Sequence, residues 1–258
     1  MNLVFASGFL VPQRFLGLDY FRDLRTEFPD ACFPNVPADG SVEVRARAFV
    51  DGVMGFRFPD PMAPIHIVAH SMGGLDARFA LHQKLLEPRV RVASLSTIST
   101  PHSGSPIADL IVGQSGGLQE AMYAWVARVI AEFGIPTGAL RDLTTAQCAQ
   151  FNVNHPDIGT IPCHCYAGNG VESLPLGLTH AYIRHVGQTP AEQENDGLVS
   201  VASASWKKLV EPPWPTDHVG EVGHSLNPPN FTSRFDHRAA VRRVVAHATG
   251  GAPPTAGD

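Results

Sequence analysis

The chain has 258 residues, of which 44% are hydrophobic and 17% are charged. A chain of this length and composition can bury a sizeable core, which excludes global disorder and favours one large domain over two small ones. The formal charge of −5 at pH 7 gives no reason to expect a nucleic-acid partner or an anionic membrane surface. No run of about 18 apolar residues occurs, so the sequence predicts no transmembrane segment.

The first six residues combine neither a basic leader nor a long apolar stretch, and therefore do not resemble a signal peptide. We expect a cytoplasmic protein if the chain is full length, and a secreted one if a leader has been trimmed. The sequence does not indicate an oligomeric state.

Short apolar runs alternate with helical patterns along the chain. The runs that predict strands are residues 3–6, 31–33, 65–69, 90–98 and 161–168. The patterns that predict helices are residues 18–28, 41–53 (with Ser41 as the cap), 75–85 and 235–248. This alternation predicts a mostly parallel central sheet with helices on both faces. We expect one domain over 1–248 and a flexible tail over 249–258.

One segment, residues 117–133, has an apolar stripe at helical spacing that allows two interpretations. It is either an ordinary packed helix or an amphipathic lid over an apolar pocket, with flanking glycines as hinges. The stripe residues that we assign to the lid and substrate pocket are Met122, Trp125, Val126, Val129 and Ile130.

A candidate nucleophile lies between the predicted strand 65–69 and the helix that follows. Ser71 has a small residue two positions before it, Ala69, and another two positions after it, Gly73. This is the pattern of a nucleophile elbow, where a serine occupies a sharp turn between a strand and a helix. A helix N-cap serine is the alternative interpretation.

A serine hydroxyl needs a base that takes its proton, and in this context the order along the chain is serine, acid, histidine. Asp196 and His218 lie in two loops that follow in that order. Asp217 competes as the acid, and His224 competes as the base. The backbone N–H of Met72, directly after Ser71, is the expected oxyanion donor, together with a donor from the loop after the first strand.

The sequence gives no indication of a metal or a cofactor. Cys163, His164 and Cys165 form the one Cys-His-Cys run, but no second cysteine pair lies at zinc-ligand spacing. We therefore interpret these cysteines as strand residues, and predict no metal site. The chain has no Gly-rich phosphate loop followed by Lys-Ser/Thr, so we expect no nucleotide cofactor.

Several segments together resemble the bacterial triacylglycerol lipases, the true lipases of the α/β-hydrolase superfamily. The matching segments are residues 17–21, 40–46, 69–78, 99–109, 143–145, 151–152 and 195–199. The most specific are Thr-Pro-His-Ser-Gly-Ser-Pro at 100–106 and Asn-Asp-Gly-Leu-Val at 195–199. The resemblance implies an α/β-hydrolase fold with a helical lid over about 110–134.

The resemblance also implies site residues. These are Ser71 as nucleophile, Asp196 as acid, His218 as base, and the N–H groups of Phe9 and Met72 as the oxyanion hole. The chain departs from the family at the end of the first strand, where Ser7-Gly8 replaces the usual His-Gly. It also has Gly220 where many members carry a calcium-binding aspartate, and glycine offers no carboxylate.

The expected function is therefore that of a serine hydrolase, a lipase or carboxylesterase that cleaves carboxylic esters of fatty acids in lipid degradation. The expected partners are a lipid or ester substrate and, transiently, a lipid–water interface. The alternatives are a carboxylesterase for short soluble esters, a phospholipase, a polyester hydrolase or an acyltransferase. A non-catalytic ligand-binding α/β-hydrolase and a metal-dependent hydrolase are hypotheses of different classes.

Overall fold

Four parallel strands form the central sheet in a computed structural model, which describes residues 1–9, 14–15, 18–113 and 138–251. Two short strands, β2 and β3, pair antiparallel outside it. The strands are β1 (Asn2–Ala6), β2 (Arg14–Phe15), β3 (Leu18–Asp19), β4 (Ile65–His70), β5 (Val92–Ile98) and β6 (Cys163–Tyr166). The central sheet has the order β1-β4-β5-β6, so consecutive strands of the sheet are neighbours. Asn2 pairs with Ile65, and Leu95 pairs with Cys163.

Helices follow most of these strands, as expected of parallel crossovers. The α-helices are α1 (Leu24–Glu27), α2 (Val42–Gly55), α3 (Gly73–His82), α4 (Pro106–Val112), α5 (Thr145–Asn154), α6 (Leu174–Val186), α7 (Pro190–Gln193), α8 (Val201–Ala204) and α9 (His237–Ala248). Two 3₁₀ turns cover Ala139–Leu143 and Gly220–Val222. The start of α2 is as predicted, because the Ser41 side chain accepts a hydrogen bond from the N–H of Val44.

The two faces of the sheet are covered by different helices. Alternate strand residues such as Val4 and Ile67 pack in one cluster with Phe49 of α2 and Ala77 of α3. Their neighbours along the strands point to the opposite face, since successive side chains of a strand alternate. There Leu3, Phe5 and Val68 pack in a second cluster with Val241 and Val244 of α9. The predicted parallel sheet with helices on both faces is confirmed.

The predicted helix over 18–28 is wrong for its first half. Residues 18–19 form β3, and only Leu24–Glu27 are helical. The apolar spacing has another cause, because Phe21 is buried against Phe5 of β1, with ring centroids 5.5 Å apart. The predicted strand over 31–33 is reduced to a single bridge between Cys32 and Val4.

Candidate active site

Ser71 lies in a sharp turn between β4, which ends at His70, and α3, which begins at Gly73. Its φ of 56° is in the left-handed region, which costs a residue other than glycine on the order of 1–3 kcal/mol. The Ser71 N–H donates to the carbonyl oxygen of Ile98 at 2.9 Å, and the Thr100 hydroxyl donates to the carbonyl oxygen of Ser71 at 2.8 Å. A strained serine held in this way is typical of a nucleophile elbow.

Two glycines let the backbone pack closely around this turn. A Cβ on Gly73 would lie 2.5 Å from the backbone oxygen of Ala6, so a side chain there would push α3 away from the end of β1. A Cβ on Gly8 would lie 2.7 Å from the Cβ of Ser71 and 3.1 Å from its Oγ. The loop after β1 therefore runs directly against the candidate nucleophile.

The two predicted oxyanion donors lie in the segments that border Ser71. Phe9 follows Gly8, and Met72 is the residue at the N-terminal cap of α3. Both side chains are buried in one apolar cluster with Leu75 of that helix. Backbone N–H groups at a helix N-terminus lack intrahelical acceptors, which leaves them available for an anion.

Asp196 and His218 form a buried hydrogen-bonded pair. The Nδ1 of His218 lies 2.7 Å from Oδ2 of Asp196, and the backbone N–H of His218 donates to the backbone oxygen of Asp196 at 2.9 Å. The other carboxylate oxygen of Asp196 accepts from the N–H groups of Leu198 and Val199 at 2.9 and 2.7 Å. A carboxylate fixed in this way holds a proton on Nδ1 and leaves Nε2 of His218 as the basic nitrogen.

The competing residues have other partners. Asp217 accepts hydrogen bonds from the backbone N–H groups of Gly220, Glu172 and Ser173, which fasten two loops together. The Nε2 of His224 donates to the backbone oxygen of Asp19 at 2.9 Å. These contacts give both residues structural roles, so Asp196 and His218 are the pair whose geometry fits an acid and a base.

A buried polar network, which the sequence did not predict, lies behind the elbow. The Nδ1 of His70 lies 2.6 Å from the hydroxyl oxygen of Tyr20, and its Nε2 lies 2.9 Å from Oε2 of Glu221. The Ser99 hydroxyl donates to Oε1 of Glu221 at 2.6 Å. The ring of His70 also lies against that of His218, with centroids 4.6 Å apart. The network therefore connects the turn at Ser71 to the loop that carries His218.

Burial disfavours a charge on both His70 and Glu221. It raises the pKa of Glu221 well above its ordinary value, and the nearby carboxylates of Asp196 and Asp217 raise it further, against the hydrogen bond from Ser99. Burial also lowers the pKa of His70 well below its ordinary value. Both shifts favour an arrangement in which the pair holds one proton between the carboxyl group and the imidazole.

The lid assignment lies outside the described residues. Met122, Trp125, Val126, Val129 and Ile130 all fall in 114–137. The described chain before this segment is helical, and α4 ends at Val112, followed by the cap residue Gly113, whose φ is 80°. The start proposed for the lid, residue 110, therefore lies inside α4. None of the helices in the described ranges is long and apolar enough to cross a membrane.

Known proteins of similar sequence include triacylglycerol lipases. "Triacylglycerol lipase 2" of Saccharomyces cerevisiae is 30% identical over 216 residues, which cover 81% of this chain and 63% of that protein. A triacylglycerol lipase of Vibrio cholerae is 24% identical over 257 residues, which cover 87% of this chain and 80% of that protein. The chain spans 60–67% of the length of three such relatives. No protein-family model matches the chain.

Solved structures of similar fold include two bacterial lipases. The mature Bacillus licheniformis lipase BlEst2 superposes with a TM-score of 0.63 at 21% identity, covering 84% of each chain. The Staphylococcus hyicus lipase superposes with a TM-score of 0.60 at 18% identity, covering 96% of this chain and 94% of that one. These similarities show that the chain has the fold of the α/β-hydrolases.

Proposed function

We propose that this chain, which has the fold of the α/β-hydrolases and is similar in sequence to triacylglycerol lipases, is a serine hydrolase that cleaves carboxylic esters of fatty acids. The observation that carries this proposal is the strained Ser71 beside the loop of Gly8, at the same end of the sheet as the buried pair of Asp196 and His218. The relatives favour a lipid ester as the substrate.

The proposed reaction is acyl transfer in two steps. Ser71 Oγ attacks the ester carbonyl carbon while Nε2 of His218 takes the hydroxyl proton. Asp196 orients the imidazole and stabilises the cation that forms. His218 then gives the proton to the departing alcohol, which leaves an acyl ester on Ser71. A water molecule, deprotonated by His218, cleaves that ester and restores the hydroxyl of Ser71.

The negative charge of each tetrahedral intermediate needs hydrogen-bond donors that are already in place. In our proposal these are the backbone N–H groups of Phe9 and Met72, in the two segments that border Ser71. Gly8 matters for this role because any side chain there would collide with Ser71. One such donor is typically worth on the order of a hundredfold or more in kcat.

We also propose that residues 1–248 form one hydrolase domain, and that the segment over about 110–134 covers the acyl-binding pocket. The support for a lid is the apolar stripe of that segment and the resemblance to lipases. A covered apolar pocket favours long acyl chains, whereas an open one favours short soluble esters.

Hydrolysis of p-nitrophenyl esters with acyl chains from two to sixteen carbons tests the proposal. Ser71→Ala removes the nucleophile, and we expect its turnover to fall to the background rate on every ester. Ser103→Ala is the matched control, because Ser103 is an exposed serine of a neighbouring loop and its variant should keep full activity. A maximum at long chains supports a lipase. Residual turnover in Ser71→Ala equal to that of the wild type contradicts the serine mechanism.

A further inference from the structure

Three buried side chains converge beside the turn that carries Ser71. A ring nitrogen of His70, a ring nitrogen of His218 and a carboxylate oxygen of Glu221 all lie within 4.8 Å of one another. Two imidazoles and one glutamate form a donor set that zinc prefers, and an open fourth position commonly accompanies it. We propose that these three residues form an inhibitory Zn²⁺ site inside the proposed active site.

The other ring nitrogen of each histidine is already held in the way that metal-binding histidines usually are. Nδ1 of His218 forms a hydrogen bond with the carboxylate of Asp196 at 2.7 Å, and Nδ1 of His70 forms one with the hydroxyl of Tyr20 at 2.6 Å. Such outer contacts fix the ring and direct the lone pair of Nε2 toward the metal. Both Nε2 atoms are therefore the ones that zinc takes, and neither outer contact has to break.

The carboxylate of Glu221 is also held in place by a hydrogen bond. The Ser99 hydroxyl donates to Oε1 of Glu221, which leaves Oε2 for the metal. Oε2 now shares a proton with Nε2 of His70 across 2.9 Å. The side chains of Glu221 and Asp196 both border Gly168, where an added Cβ would collide with Oε1 of Glu221 and lie 3.1 Å from Cβ of Asp196. Two carboxyl groups beside two imidazoles make this a favourable place for a divalent cation.

Binding of the ion and hydrolysis exclude each other. Zn²⁺ displaces the proton between His70 and Glu221 to solvent, and it occupies the lone pair of His218 that must accept the Ser71 proton. No covalent bond or redox change is involved, and a chelator restores activity by removing the ion. This inference rests on the proposed function for its inhibitory effect, but the binding itself does not depend on turnover.

Direct binding is measured on the full chain with Co²⁺, which has visible absorption bands when it replaces zinc at a site of low coordination number. We expect these bands in the wild type and also in Ser71→Ala, because Ser71 is not a ligand. We expect added Zn²⁺ to remove the bands in both proteins. Bands in Ser71→Ala together with no turnover of any ester by the wild type would sustain the site and reject the proposed function.

Removal of one ligand separates this site from adventitious binding. Glu221→Gln and His70→Asn should each weaken Co²⁺ binding by about tenfold or more. Each substitution should also raise the Zn²⁺ concentration that halves the variant's own activity by about tenfold or more. His185→Asn is the matched control, because His185 is an exposed histidine at the end of α6. Circular dichroism confirms that each variant is folded.

Three results would overturn the site. The first is a wild type without cobalt bands, and the second is unchanged metal affinity in both ligand variants. The third is an equal loss of affinity in His185→Asn, which would indicate binding to surface histidines. The exposed His247 packs against His164, with ring centroids 4.6 Å apart, and this surface pair would be the first candidate in that case.

Discussion

Two aspartates near the proposed base differ in what their carboxylates bind, and substitution should therefore affect them differently. Asp196→Asn keeps the size of the side chain but offers an amide to Nδ1 of His218, which favours the wrong imidazole tautomer. We expect kcat on a p-nitrophenyl ester to fall about 10³–10⁴-fold. Steady-state kinetics of the purified variant measure this loss.

Asp217→Asn is the control for that prediction. Asp217 binds only backbone N–H groups in the contacts described above, so its variant should lose stability to urea while kcat stays near that of the wild type. The reverse pattern, with the larger loss of kcat in Asp217→Asn, would show that the acid of the triad is wrongly assigned.

Tyr20 forms a hydrogen bond with the ring of His70, and we infer that it thereby helps to position the turn at Ser71. Tyr20→Phe removes the hydroxyl and leaves Nδ1 of His70 buried without its partner, which should cost about 1–3 kcal/mol of the free energy of unfolding. Because His70 directly precedes Ser71, we also expect kcat to fall by roughly tenfold while KM changes little. Urea denaturation and steady-state kinetics measure the two effects.

Tyr166→Phe is a matched control for Tyr20→Phe. The hydroxyl of Tyr166 is buried and has no hydrogen-bond partner in the described part of the chain. Its removal should therefore leave both stability and kcat close to those of the wild type. Equal effects of the two substitutions would mean that the hydroxyl of Tyr20 has no special role in the site.

At the scale of elements, Arg45 of α2 connects two helices to the loop after β1. The side chain is buried, and its Nε donates to Asp76 of α3 at 3.0 Å. Its other nitrogens donate to the backbone oxygens of Ser7 and Pro37. Arg45→Met leaves a buried carboxylate unpaired, so we expect a loss of about 3–5 kcal/mol of the free energy of unfolding.

Arg47, two residues further along α2, provides the comparison. It pairs with Glu43 one turn away at 2.8 Å, and both side chains are exposed. Exposed pairs at this spacing stabilise a helix by only about 0.5 kcal/mol or less. Urea denaturation of Arg47→Met should therefore differ little from the wild type. A loss as large as that of Arg45→Met would contradict the importance of burial.

Helices and strands were predicted correctly where the conformational preference of the local sequence agrees with its packing in the fold. The runs at 65–69 and 90–98 are rich in β-branched residues, which favour strands, and they form β4 and β5 with both faces of the sheet covered. The prediction over 18–28 failed because the position of Phe21 is determined by its packing against Phe5, a residue of another element. Spacing along the chain cannot distinguish a helix face from a loop that packs its aromatic residues on a sheet.

At the scale of the whole molecule, the pair of His70 and Glu221 makes stability depend on pH. Unfolded, the two groups titrate near 6.5 and 4.5, so between these values the unfolded pair holds one proton, as the folded pair does. Above about pH 6.5 the unfolded pair holds none, so stability falls as the pH rises. Below about pH 4.5 the unfolded pair holds two, so stability falls again as the pH decreases.

Urea denaturation from pH 4 to pH 9, with a chelator present, measures this dependence. Glu221→Gln cannot lose a proton at position 221, so its stability should fall less than that of the wild type as the pH rises above about 6.5. Parallel curves for the two proteins would show that Glu221 is ionised in the folded state. The comparison with the variant removes the contribution of other titrating groups.

The sequence predicted the proposed triad but not the residues behind it. Ser71 has a local pattern, and Asp196 and His218 follow it in the order that the fold requires. Tyr20 and Glu221 have no comparable local pattern. His70 and Glu221 are 151 positions apart, and only the folded sheet brings them within 2.9 Å. Such a contact depends on tertiary structure, which one sequence does not reveal by spacing.

This separation along the chain also bears on biosynthesis. During synthesis, the elbow serine leaves the ribosome long before the loop that carries His218 and Glu221. Under the proposed mechanism, a nascent chain that has reached only β5 lacks both Asp196 and His218, and we expect it not to hydrolyse an ester. We therefore expect hydrolysis to begin only after residues late in the sequence pack against residues early in it, so that its onset reports the completion of the chain's tertiary structure rather than the formation of its first strands.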